Sequence, residues 1–129
     1  MEWRLCAILD DALENSNYSI RLIDWNPQRY HSIVVNGVHL GSYQDGLLQS
    51  LEHGEWKTFA NLECKSASPY VFGRWKDGGI TSDESYWWQC QVGMAAAGVD
   101  LCGFLAENKQ SQDLHFEWIA YDHEASSRS

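Results

Sequence analysis

The sequence predicts an α+β domain: a mostly antiparallel β-sheet of about five to seven strands with one or two short helices over it. Three observations carry this. Asn36-Gly37 sits between the β-branched runs Ile33-Val34-Val35 and Val38-His39-Leu40. Several stretches alternate apolar and polar residues with a period of two. One stretch, containing Leu47, Leu48 and Leu51, changes to a helical period.

Taken in order, Trp3 to Leu9 is a short apolar run that suits either a strand or a turn of helix, and the acidic Asp10 to Asn17 suits a loop. Tyr18 to Trp25 alternates and is predicted as a strand, ended by the Asn26-Pro27 turn signal. Asn36-Gly37 predicts a tight hairpin, because both central residues of a type I′ turn need positive φ. The Leu47 to Leu51 stretch, with Asp45 before it and Gly54 after it, predicts a short helix with an acidic start and a glycine stop. Trp56 to Cys64 fits either state, and Ser66 to Pro69 reads as a loop.

Beyond that, Tyr70 to Trp75 predicts a strand and Lys76 to Gly79 a turn. Tyr86 to Val92 predicts a strand with one buried face, on which Trp87 and Trp88 would point in opposite directions. Gly93 to Gly98 is built of small residues and suits a turn or a tightly packed crossing. Val99 to Glu107 and Leu114 to Tyr121 predict two strands, paired antiparallel because only a short polar loop joins them. His123 to Ser129 is a polar tail. Residues 1–129 read as a single domain, long enough to bury a core without a metal or disulfide.

Charge narrows the function classes. The chain has 18 acidic and 9 basic residues, a formal net charge of −9. Lys and Arg drive binding to a phosphate backbone, so this balance predicts neither a nucleic-acid partner nor an anionic membrane. It favours a basic protein partner instead. No stretch reaches the roughly 18 apolar residues of a spanning helix, and Asp10 and Asp11 break the N-terminal apolar run before it could serve as a signal peptide, so a cytoplasmic location is expected. Cys6, Cys64, Cys90 and Cys102 are widely spaced and fit four buried free thiols.

No chemistry-bearing motif stands out. Metal sites show close ligand spacing, and the nearest pairs here are His31/His39 and His115/His123. Residues eight apart on one strand lie roughly 26 Å apart at about 3.3 Å per residue, so only a fold-back such as the Asn36-Gly37 hairpin could join a pair. No Gly-x-Ser-x-Gly or glycine-rich phosphate loop is present. With 18 acids, paired carboxylates do not discriminate a site from a solvated surface. Neither catalytic residues nor a cofactor or metal is expected, and a non-enzymatic role is predicted. The seven tryptophans offer a different signal, since Trp dominates binding hot spots. Trp75, Asp77, Asp83, Glu84 and Trp87 cluster in sequence and form the expected partner-binding patch.

The stretch Val34 to Leu51, VVNGVHLGSYQDGLLQSL, together with the strand, polar loop and Glu117-Trp118 strand of Gly98 to Tyr121, resembles the immunity protein 42 group of bacterial polymorphic-toxin systems. The resemblance implies an acidic domain that neutralises a cognate toxin, such as a nuclease, by covering its active site. It departs from that pattern at Ser42, where an acid is usual. The alternatives are a phage-encoded or other acidic inhibitor, and a Trp-rich ligand- or carbohydrate-binding module.

Overall fold

The computed structural model describes residues 2–124. Helix α1 (Glu2–Glu14) is followed by strands β1 (Ile20–Ile23), β2 (Tyr30–Val35), β3 (Val38–Tyr43), β4 (Gly46–Glu52) and β5 (Glu55–Ala67). Helices α2 (Pro69–Gly78) and α3 (Glu84–Ala97), with a short 3₁₀ turn at Ile80–Ser82 between them, lead to β6 (Leu101–Asn108) and β7 (Leu114–Ala120). A five-stranded sheet runs in the order β1-β4-β5-β6-β7, and β2-β3 form a separate ribbon. Every pair is antiparallel except β5-β6, which α2 and α3 connect as a crossover. The α+β class with a mostly antiparallel sheet is therefore as the sequence predicts.

Several elements differ from the sequence-based expectation. The N-terminal apolar run and the acidic stretch after it form one helix, because Leu5, Cys6, Leu9 and Leu13 share a face that packs on the sheet, and Asp11 and Glu14 take the other side. The predicted helix around Leu47 is strand β4. It turns at His53-Gly54, both at positive φ, into the long β5. The predicted strand at Tyr70 is α2, opened by Ser68, whose side chain accepts from the Val71 N–H, and by Pro69 in the first turn. The predicted strand at Tyr86 is α3, so Trp87 and Trp88 are neighbours on a helix, their rings 4.9 Å apart, and do not point to opposite faces of a sheet.

The Asn36-Gly37 hairpin is present, with φ of 51° and 79°. Strands β6 and β7 pair antiparallel over Leu101–Ala120 to Glu107–Leu114. The tail from residue 125 onward lies outside the described residues.

The sheet has a core on each face. On one, α1 covers Leu22, Leu48, Ala60, Leu62, Cys64 and Leu105. On the other, α2 and α3 cover Cys102, Phe104, Ala106 and Ile119, with Trp75, Cys90 and Met94 as the helical contribution. The ribbon β2-β3 packs on the far side of α3. All four cysteines are free and buried. No helix among the described residues is long and apolar enough to cross a membrane.

Candidate functional site

After an irregularity at Phe59, strand β5 alternates from Ala60 to Lys65. Ala60, Leu62 and Cys64 point to the α1 core, so Asn61, Glu63 and Lys65 point to the opposite face, toward α3. The register Gly46↔Leu62 places Asp45, just before β4, beside Glu63, just after Leu62. Asp45 is fixed there: its carboxylate accepts the Cys64 N–H at 2.7 Å and the Gln28 side chain at 2.8 Å. Below it, the Cys6 thiol of α1 reaches the Asp45 carbonyl at 3.3 Å.

Asp45, Glu63 and Lys65 line one open pocket of about 390 Å³. Its other walls are Gly41, Ser42 and Tyr43 of β3 and Ser85, Trp88, Gln89 and Val92 of α3. The approach of α3 to this floor depends on Gly93. A Cβ there would stand 2.8 Å from Asn61 Nδ2, 3.2 Å from Glu63 Oε1 and 3.3 Å from Gln44 Oε1. A buried relay holds the same contact: Asn61 donates to Gln44 at 2.8 Å, and Gln44 donates to the Gly93 carbonyl at 3.0 Å.

Glu63 is only 6% exposed. Burial first, and the Asp45 carboxylate second, push its acid up to about 8, against a smaller opposing pull from Lys65. The Lys65 ammonium lies 5.4 Å over the Tyr86 ring, which keeps it on this side of the sheet. Among the described residues no three His, Cys, Asp or Glu side chains form a metal-holding group of their own. Two hard carboxylates are nevertheless the donor set that suits Mg²⁺, which is held through one or two carboxylates with waters and substrate phosphates filling the remaining positions. The unfavourable burial of Glu63 beside Asp45 is what such a cation would relieve.

The residues singled out in the sequence fall elsewhere. Trp75 is 1% exposed and presents no surface to a partner. Its ring packs edge-on against Tyr86 and Phe104, and its Nε1 donates to Asp83 at 3.1 Å. Asp83 also pairs with Arg74 at 3.2 Å, so it serves the α2–α3 junction. Trp87 packs against the core. Asp77 and Glu84 are exposed, on α2 and at the start of α3. His31 and His39 do not converge: the ladder pairs His31 with Ser42 and His39 with Val34, which puts them on opposite faces of the ribbon. Asp45, Glu63 and Lys65 were the residues missed. Their signal was present as the alternation Asn61-Leu62-Glu63-Cys64-Lys65, but it becomes legible only once β5 is recognised as a strand.

No family model matches the chain, and no curated protein matches it. Solved structures do share its fold. An alkaline exonuclease, LHK-Exo, from Laribacter hongkongensis is 17% identical, with a TM-score of 0.59 over 97% of this chain and 59% of that one. LHK-Exo in complex with dAMP gives 19% identity and a TM-score of 0.60, over 98% of this chain and 58% of that one. The structure of SSO0001 gives 14% identity and a TM-score of 0.55, over 95% and 52% respectively. The chain thus spans less than two thirds of the length of each of these proteins.

Proposed function

We propose that this chain is a divalent-cation-dependent phosphodiesterase core acting on nucleic acid. The observation that carries the reading is the convergence of Asp45, Glu63 and Lys65 in one open pocket, on a strand whose other face is hydrophobic core. The fold supports it, since one solved structure that shares the fold is named an alkaline exonuclease and is also known in complex with dAMP.

In this reading Asp45 and Glu63 hold the cation. When bound, it supplies a Lewis acid that polarises the phosphoryl group and makes a water nucleophilic near neutral pH. The protein's own residues do the rest. The Cys64 N–H and Gln28 fix the Asp45 carboxylate, so its geometry is set before substrate arrives. The Lys65 ammonium balances charge that builds on the non-bridging phosphate oxygens. Gly93 lets α3 pack directly against Asn61 and Glu63, so that one wall of the pocket stands close to its floor.

The test is hydrolysis of labelled single- and double-stranded DNA with Mg²⁺ or Mn²⁺, comparing the native chain with Asp45→Asn, Glu63→Gln and Lys65→Ala. Cation-dependent cleavage lost in all three variants supports the reading. Cleavage that survives all three places the activity elsewhere or in a contaminant.

The acid excess favours a second reading, the toxin-neutralising inhibitor, because a charge of −9 suits a basic protein surface better than a phosphate backbone. A tagged pull-down at low and high salt separates the two. A single salt-released protein partner, with no nuclease activity in the free chain, favours the inhibitor.

A further inference from the structure

The two edges of the five-stranded sheet are built differently. At one end β1 is four residues long and carries Arg21, whose guanidinium lies over the Trp56 ring. At the other end β7 is seven residues long, holds no Pro, Lys or Arg, and pairs with β6 without a bulge. Natural sheets blunt an edge by shortness, charge, proline or a bulge, because an unpaired edge templates another strand. Only the β1 edge is blunted in this way. The one carboxylate of β7, Glu117, is turned to the α2–α3 face, where it accepts the Ile80 N–H at 2.9 Å and meets His115 at 2.6 Å.

The register shows which backbone groups the β7 edge leaves free. At the two ends of the β6–β7 ladder, the Asn108 N–H donates to the Asp113 carbonyl and the Tyr121 N–H to the Asp100 carbonyl, both at 2.9 Å. Odd-numbered residues of β7 therefore exchange hydrogen bonds with β6, and the N–H and C=O groups of Leu114, Phe116, Trp118 and Ala120 point outward. The Ala120 carbonyl is taken by the Gln91 amide at 3.1 Å. Among the described residues, the outward backbone groups of Phe116 and Trp118 have no partner. Phe116 lies opposite Leu105, so Leu114, Phe116 and Trp118 share the α1 side of the sheet. Helix α1 does not cover them, and all three side chains stay exposed. An open ladder and an apolar stripe thus fall on the same residues.

A second copy of β7 matches this edge. In an antiparallel self-pairing centred on Phe116, Phe116 meets Phe116 and Leu114 meets Trp118 on the apolar face. On the other face His115 of each copy stands opposite Glu117 of the other. Imidazole and carboxylate then alternate around a cluster of four, and each carboxylate faces imidazoles. A centre one residue later would set Glu117 against Glu117, like charges directly opposed. In the first register the strand complements itself on both faces at once, as an isologous contact requires.

We propose that the chain forms a twofold-symmetric dimer by β7–β7 pairing over Leu114–Trp118, joining the two five-stranded sheets into one continuous sheet. The joined sheet ends on the blunted β1 edges, so assembly closes at two copies. The dimer does not depend on the phosphodiesterase reading.

The experiment is sedimentation equilibrium of the full chain over a wide concentration range, with circular dichroism to verify the fold of each variant. The native mass is expected to rise from one copy to two and stop there. Phe116→Lys is expected to weaken association roughly thirtyfold or more, the scale on which a central aromatic contributes to an interface. It removes no hydrogen bond within the chain, because the Phe116 backbone groups point outward. The register is read by crosslinking with oxidised glutathione, against the background of the native cysteines, which are all buried. Phe116 stands at the twofold axis with its Cα about 5.5 Å from its counterpart, so Phe116→Cys should crosslink. Leu114 lies two residues from the axis and its Cα is about 14 Å from its counterpart, so Leu114→Cys should not. Four results would each overturn the proposal: a native chain that stays monomeric throughout, growth beyond two copies, a dimer as tight in Phe116→Lys as in the native chain, or crosslinking of Leu114→Cys as efficient as that of Phe116→Cys.

Discussion

The two faces of β5 carry opposite chemistry on adjacent residues. The side chains of Ala60, Leu62 and Cys64 are buried in the core under α1. Asn61, Glu63 and Lys65 face α3 with two ionisable groups and an amide, two of the three side chains being buried. Folding alone would favour apolar residues on both faces of a central strand, since burying an ionisable group costs stability unless it is compensated. The α1 face shows what this sheet needs in order to fold. The α3 face shows what it gives up, and two of the three residues, Glu63 and Lys65, line the pocket.

Substitutions on the two faces should separate stability from activity. The largest effect is expected at Lys65: Lys65→Ala should lower cation-dependent phosphodiester cleavage by about 10²–10³-fold, the usual loss for a preorganised charge-stabilising group, and leave the denaturation midpoint nearly unchanged. On the other face, Leu62→Ala should cost about 2–5 kcal/mol in urea unfolding by opening a cavity at a fully buried site. If both variants changed the same property, the two faces would not be functionally distinct.

Glu63 sharpens the comparison through pH. Its acid is raised from 4.5 to about 8 in the folded chain, so the folded state holds a proton that the unfolded state has released. Metal-free stability should therefore fall as pH rises from about 4.5 to 8 and level off above that. The groups around it work in opposite senses: Asp45 reinforces the shift and Lys65 weakens it. Glu63→Gln should remove that part of the slope and stabilise the metal-free chain at pH 9 by roughly 2–4 kcal/mol, read from urea titrations at several pH values. An unchanged slope would mean that Glu63 ionises normally. The smallest effect belongs to a residue on neither face: Ser68→Ala, which removes the α2 cap, should cost about 0.5–1 kcal/mol by thermal melting.

Legibility in the sequence followed local signals. Asn36-Gly37 was readable because the turn demands positive φ at two successive residues, and few other dipeptides supply it. Strands β6 and β7 were readable from β-rich composition and a short polar loop. The Leu47 stretch misled because Gly46, Leu47 and Leu48 are buried in succession, so β4 shows no alternation there. Helix α3 misled for a related reason. It lies between the sheet and the β2-β3 ribbon, is covered on both sides, and so lacks the one-sided apolar stripe that marks a surface helix. Its Tyr and Trp residues then read as strand formers. The site depended on both misread elements, since Asp45 stands just before β4 and one pocket wall is α3. Net charge bears on a different question from the pocket. It is a property of the whole surface, whereas the pocket is governed by three side chains.

The alternation between hairpin and crossover also sets an order of assembly. Strands β4 and β5 are joined by the two-residue His53-Gly54 turn, and closing so short a loop is fast and local. The parallel pairing of β5 with β6 must wait for the whole α2–α3 connection to fold back, and non-local closure of that kind is slow. Asp45 and Glu63 therefore meet in the first event, while Gly93 and the aromatic wall of α3 arrive in the second. The carboxylate pair thus belongs to the local part of the fold, and the wall above it to the part that depends on distant pairing.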